Sequence, residues 1–169
     1  MAIDRKKFWG KNHYKHPKLT NEMVAQAEAQ LGVKLPTTYI NLLKIQNGGF
    51  TRKFGFPMKR RTGWSNNHVP LDDLAGIIID PDFRSPLNIM KSPEMSLEWD
   101  VPPKQVLLTG DGHWWITLDY RKSKTPRVRW IDTEMGKDMK VADTFADFIK
   151  GLKPEKSFIP PMDEYGDPI

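Results

Sequence analysis

The sequence contains no cysteine among its 169 residues. Disulfides, thiolate nucleophiles and sulfur-bound metals are thereby excluded, and the chain suits a reducing compartment. It also lacks any run of about 18 apolar residues, so no helical membrane span can be drawn from it. Met1-Ala2-Ile3-Asp4-Arg5-Lys6-Lys7 leads into Phe8-Trp9-Gly10-Lys11 rather than into an apolar signal core, and a cytoplasmic location is expected. No glycine-rich phosphate loop is present. Gly48-Gly49 follows a helical pattern instead of opening one, and Gly110-Asp111-Gly112 has neither the lysine nor the helix of a nucleotide loop. No serine sits in a strand-turn-helix elbow. No catalytic residue and no cofactor is assigned, and the chain is expected not to be an enzyme.

Four histidines remain as candidates for chemistry: His13, His16, His68 and His113. His13 and His16 are spaced to share one side of a helical turn, but a metal site needs a third ligand and the nearest carboxylate upstream is Asp4. They read as surface histidines in a lysine-rich segment, and no metal is assigned. His113 follows Asp111 in a turn. That pair could do acid–base work, or Asp111 could simply bond its own backbone.

What is present is helical punctuation at both ends and β alternation between. Thr20 is a good N-cap, Glu22 lies in the first turn, Met23, Val24, Ala27 and Leu31 share a face, and Gly32 sits where a helix stops. After Val33-Lys34-Leu35, Pro36 suits the first position of a second helix, with Tyr39, Leu42, Leu43 and Gln46 as its stripe and Asn47-Gly48-Gly49 as its stop. Ahead of both, Phe8 and Trp9 read as a short amphipathic start whose tryptophan docks on the body. Phe54 and Phe56 alternate toward a strand end at Pro57. Residues 59–68 form a polar loop with one exposed aromatic, Trp64. Leu71 to Leu74 reads as one helical turn, and Asn88 to Trp99 as a helix interrupted by Pro93.

The clearest β signal is Val106-Leu107-Leu108, the Gly110-Asp111-Gly112 turn, and a return strand from His113 to Tyr120. On that strand Trp114, Ile116, Leu118 and Tyr120 face one way, and Trp115, Thr117 and Asp119 the other. A basic loop, Arg121 to Pro126, leads to a third strand with Val128 and Trp130 facing opposite to Arg127, Arg129 and Ile131. A short strand near Met139 to Val141 precedes a last helix, capped by Asp143 or Thr144, with Phe145, Phe148, Ile149 and Leu152 on its apolar face. The expected fold class is α+β: N-terminal helices, a central antiparallel sheet and a C-terminal helix packed on it, in a single domain over 1–169. The two chain ends should meet on the sheet.

The net charge of +5 is unevenly spread. Residues 1–61 hold 13 Lys and Arg against 3 Asp and Glu, whereas residues 62–169 hold 13 against 18. The basic part, with Trp9, Tyr14 and Trp64, could track phosphates and stack bases. The acidic positions Asp80, Asp82, Glu94, Glu98, Asp100 and Asp111, if their loops cluster, make a negative patch amid tryptophans suited to a protein partner.

Four landmarks resemble the SUKH superfamily, whose members relate to a yeast regulator of cell-wall assembly. They are Leu35-Pro36 with Tyr39 and Asn47-Gly48-Gly49; the block from Leu107 to Ile116; Leu118-Asp119-Tyr120-Arg121; and Ala142-Asp143-Thr144-Phe145-Ala146-Asp147-Phe148-Ile149. They span a core of about 19–152, leaving an extended tail over 153–169, and look most like the bacterial branch. The resemblance implies an immunity protein that binds and neutralises a cognate bacterial toxin, commonly a nuclease, by occlusion. It carries over no catalytic residues. The expected toxin-binding positions are Trp64, Asp80, Asp82, Glu94, Glu98 and Asp111. A nucleic-acid or regulatory binding module using the basic N-terminal region is the alternative. An inhibitor of a basic nuclease should be acidic, and this chain is basic overall.

Overall fold

The computed structural model describes residues 4–169. Met1, Ala2 and Ile3, which open the stretch read above as lacking a signal core, lie outside them. Helix α1 spans Asn21–Leu31, with the Thr20 hydroxyl accepting from Met23 N at 3.2 Å and Gly32 closing it at φ 68°. Helix α2 spans Thr37–Ile45 and buries Tyr39, Leu42 and Leu43. Pro36 stands one residue outside α2, at ψ 137°, so it turns the chain into the helix instead of occupying its first position.

Two antiparallel sheets follow where one was expected. Strands β1 (Gly49–Pro57) and β2 (His68–Leu74) pair with a two-residue β7 (Lys153–Pro154) in the order β2-β1-β7. Leu71 to Leu74 is therefore strand and not a helical turn, with Leu71 opposite Phe54 and Leu74 opposite Gly49. The alternation was hidden because His68 to Leu71 are all buried. Strands β3 (Gln105–Gly110), β4 (Trp114–Asp119), β5 (Arg127–Asp132) and β6 (Lys137–Ala142) form the second sheet in sequence order. Both chain ends reach β1: Trp9 bridges Thr51, and Lys153 pairs with Gly55. Trp9 is buried, its indole donating to Leu42 O at 3.0 Å.

The faces of β4 separate as its alternation requires. Ile116, Leu118, Val128 and Trp130 join the main core with Tyr39 and Leu42. Trp115, Leu107, Ile131 and Val101 make a small second cluster on the opposite face. That cluster is covered by Met95 and Trp99, from and just beyond α3 (Ser92–Glu98). Only this last part of Asn88 to Trp99 is α-helix. Ile89–Lys91 is a 3-10 turn running into it, and Pro93 falls in the first turn of α3, where no backbone donor is lost. Helix α4 (Phe145–Gly151) is capped by Thr144, whose hydroxyl accepts from Asp147 N at 3.1 Å, and it buries Phe145, Phe148 and Ile149. The tail is not extended throughout. Glu155–Phe158 is a 3-10 turn that stacks Phe158 on His68 with centroids 4.2 Å apart, and Asp163 Oδ1 accepts from Tyr165 N and Asp167 N in a closed turn.

Candidate binding surface

The β3–β4 turn shapes one end of the second sheet. Asp111 Oδ1 accepts from His113 N at 2.9 Å and Trp114 N at 3.1 Å, so of the two roles open to this carboxylate the structure shows it closing the turn. The glycines on either side are required by what lies over them. A Cβ on Gly110 would stand 2.4 Å from the Trp115 ring, and one on Gly112, at φ 100°, 3.0 Å from the Trp99 ring. Two indoles are thus laid against a turn that no larger residue could replace.

Between this turn and α3 lies a hollow of about 400 Å³, lined on one side by Ser92, Met95 and Trp99 and on the other by Leu107, Thr109, Asp111 and Trp115. It runs into a second hollow of about 710 Å³ lined by Asp80, Phe83 and Arg84. Ser85, Pro86, Asn88, Lys91 and Glu94 line both. The indole N–H groups of Trp99 and Trp115 are buried and have no acceptor among the described residues.

The predicted positions fall around this end of the molecule unequally. Asp80 lines the larger hollow, Asp111 the smaller, and Glu94 both, where it pairs with Lys91 at 3.6 Å. Asp82 follows Asp80 in an exposed turn, its N–H donating to Asp80 Oδ1 at 2.9 Å. Glu98 is exposed on α3 and lines neither hollow. Trp64 is 38% exposed and meets His68 edge-on at 4.9 Å. It lines neither hollow, yet its neighbour Gly63 lies against Asp132 and Met135. The turn holding Met135 is tied to the β3–β4 turn by Thr133 N donating to His113 O at 3.2 Å.

Sequence reasoning missed Met95, Trp99, Trp115 and Lys91 as part of this surface. The signal available was the spare glycine in Gly110-Asp111-Gly112, since a tight turn with two glycines marks close approach by something bulky.

The histidines do not converge. The segment carrying His13 and His16 is not helical, and Lys15 between them sits at φ 50°. His13 is exposed beside Tyr14 and Phe50. His16 is half-buried, not a solvated surface residue, with Nδ1 2.6 Å from Asn47 O and Nε2 2.6 Å from Ser85 Oγ. Burial holds its pKa below the ordinary value, and the Asn47 carbonyl pulls the other way. His68 Nδ1 meets Asn67 Oδ1 at 2.7 Å. Burial lowers its pKa too, opposed by the charge of Asp72. His113 Nδ1 lies 3.1 Å from Glu134. Among the described residues no three His, Cys, Asp or Glu side chains gather as a metal site would need.

A family model described as SMI1-KNR4 cell-wall, of the SUKH group, matches residues 21–149. The chain belongs to the SUKH family. No curated protein and no solved structure matches it. In this SUKH domain the landmark residues hold the fold. Tyr39 donates to Ala75 O at 2.6 Å, Tyr120 donates to Lys34 O at 2.7 Å, and Asn47 exchanges hydrogen bonds with Ile77. Each ties one of the first two helices, or the residues at their ends, to the strands. The acids around the two hollows take part in none of these three ties. Among the described residues no helix of this SUKH domain is long and apolar enough to cross a membrane.

Proposed function

We propose that this SUKH domain is a non-enzymatic immunity protein of the bacterial cytoplasm that binds a cognate toxin, a nuclease in the family's commonest use, and blocks it by occlusion. The observation that carries this reading is the gathering of Trp99, Trp115, Glu94 and Asp111 around one hollow on a chain of this family. Aromatic anchors with carboxylates at the rim are what a basic protein surface needs in a partner. The overall positive charge does not oppose this, because the acids lie in the C-terminal part and the excess of lysine and arginine in the first 61 residues. The interface is expected to cover about 800 Å² on each partner.

Asp80→Asn with Asp82→Asn should slow association with the toxin about five-fold at low salt, with the difference fading at high salt. Asparagine at position 80 keeps the acceptor that closes its turn, so the melting midpoint should stay put. Stopped-flow binding beside a thermal melt measures both. An unchanged rate removes these two acids from the interface.

The exposed cations Lys11, Lys15, Lys18, Arg52 and Lys53 favour a second reading, a nucleic-acid module. It has lost one of its stacking residues, since Trp9 is buried. RNA binding whose affinity falls steeply with salt would support it.

A further inference from the structure

Large apolar side chains left exposed together mark a surface that another molecule covers. Four of the nine exposed among the described residues fall within residues 159–169. They are Ile159, Met162, Tyr165 and Ile169, the last two each 83% exposed. The segment is a folded knob. Met162 bridges Pro168, Asp163 N donates to Asp167 O at 2.8 Å, and Ile169 N donates to Pro161 O at 2.8 Å. A lone hairpin of this size is marginal in water, and every residue of this one is exposed. The knob carries Asp163, Glu164 and Asp167 and no lysine or arginine, on a chain whose net charge is +5. Among the described residues none of these three acids forms an ion pair.

Its complement lies on the same chain. The N-terminal arm meets the start of β1, with Gly10 N donating to Phe50 O at 2.8 Å and Arg52 N to Phe8 O at 3.0 Å. There Phe50, 37% exposed, packs with Tyr14 and His13 at centroid distances of 5.3 and 5.9 Å. Lys11, Lys15 and Arg52, each within two residues of this aromatic cluster in sequence, are exposed and form no ion pair among the described residues. The knob springs from the other end of β1, where Phe158 lies over Gly55 and stacks on His68, which pairs with Pro57.

We propose that a second copy of this chain covers the knob. Two copies meet antiparallel about a twofold axis, and each lays residues 159–169 on the other's His13, Tyr14 and Phe50 face. Acids then meet cations twice, apolar side chains are covered on both surfaces, and the two contacts close on themselves. The knob together with the face gives each copy roughly 20 residues in contact, the lower end of what specific interfaces use.

Sedimentation equilibrium of the full chain tests this without a toxin. At about 50 mM salt it should show dimers with a dissociation constant of about 10–100 μM, weakening about ten-fold at about 0.5 M salt. The E164K D167K protein and the K11E K15E protein should each be monomeric, because like charges then face one another. An equimolar mixture of the two should associate again, since both contacts of the mixed dimer are complementary. All four side chains are exposed, so the melting midpoints should stay at the parent's value and report intact folds. Tyr165→Ala should weaken the parent dimer about ten-fold. A parent that is monomeric at about 200 μM, dimers that survive both charge reversals, or a mixture that fails to associate overturns the inference. A monomeric parent whose E164K D167K variant loses affinity for the toxin would assign the knob to the toxin instead.

Discussion

Gly76→Ala should cost about 4 kcal/mol or more, enough to leave little folded protein at growth temperature. A Cβ at this position would stand 2.1 Å from Asn47 O and 2.7 Å from both Asn47 C and Oδ1. The opposing atoms are the main chain and a buried, fully bonded amide, so nothing there can swing aside. Asn47 is 4% exposed and donates to Pro17 O at 2.8 Å and Ile77 O at 2.7 Å, while its Oδ1 accepts from Ile77 N at 2.8 Å. One amide therefore ties the N-terminal arm, the end of α2 and the segment after β2 into a single knot. Asn47→Asp tests the same knot without changing volume. It puts a carboxylate oxygen against two carbonyls and should cost about 3–4 kcal/mol. Urea unfolding with an unchanged slope measures both variants, and losses below about 1 kcal/mol would refute the description of the knot.

Asp119→Ala should cost about 3 kcal/mol and lower the melting midpoint by about 6–12 °C. The carboxylate is completely buried and is held by Arg121 Nε at 2.8 Å, an Arg127 guanidinium nitrogen at 2.9 Å and Gln105 Nε2 at 2.7 Å, with Arg129 at 3.9 Å. The Arg121 and Arg127 side chains keep 28% and 27% of their exposure, so the charges stranded by the substitution remain partly solvated. That places the loss at the low end for a broken buried pair.

Burial alone would push the Asp119 carboxyl up. Hydrogen bonds from the Arg121 side chain, Gln105, the Arg121 N–H and Arg127 outweigh it and hold the group well below the usual carboxylate range. A depressed native value means the stabilisation is fully present above the unfolded value of about 4 and is lost as pH falls through the range beneath it. The parent should therefore lose stability progressively below pH of about 4. Asp119→Asn, destabilised at neutrality, should show a flatter profile there. Melts across this window check the sign, and parallel profiles would contradict it.

Much of the architecture is written in short-range signals. Thr20 and Gly32 bracket α1, Thr144 opens α4, and the alternation of Trp114 to Tyr120 assigns both faces of β4, because each depends on residues within one or two turns of each other. Strand β2 was illegible for a physical reason. Its first half is buried on both sides and so shows no period of two, and Pro70 within it is tolerated because β2 is an edge strand. The pairing of Gly55 with Lys153 that adds the third strand to the first sheet joins residues 98 positions apart, and two residues carry no pattern. At the candidate surface, composition found Asp80, Glu94 and Asp111. It could not find Met95 or Trp99, whose role comes from α3 lying across β3 and β4. That Trp9 docks on the body and that Trp64 is exposed were both legible, and Trp9 is buried with its indole on Leu42 O while Trp64 is partly exposed.

We propose that this chain works by covering a protein and transforms no substrate. The most direct test is the growth of cells expressing the toxin proposed as its partner, with and without this chain. Restored growth accompanied by a stable complex of the two purified proteins is the predicted result. Continued killing in the presence of abundant folded chain, with no complex formed, would contradict it.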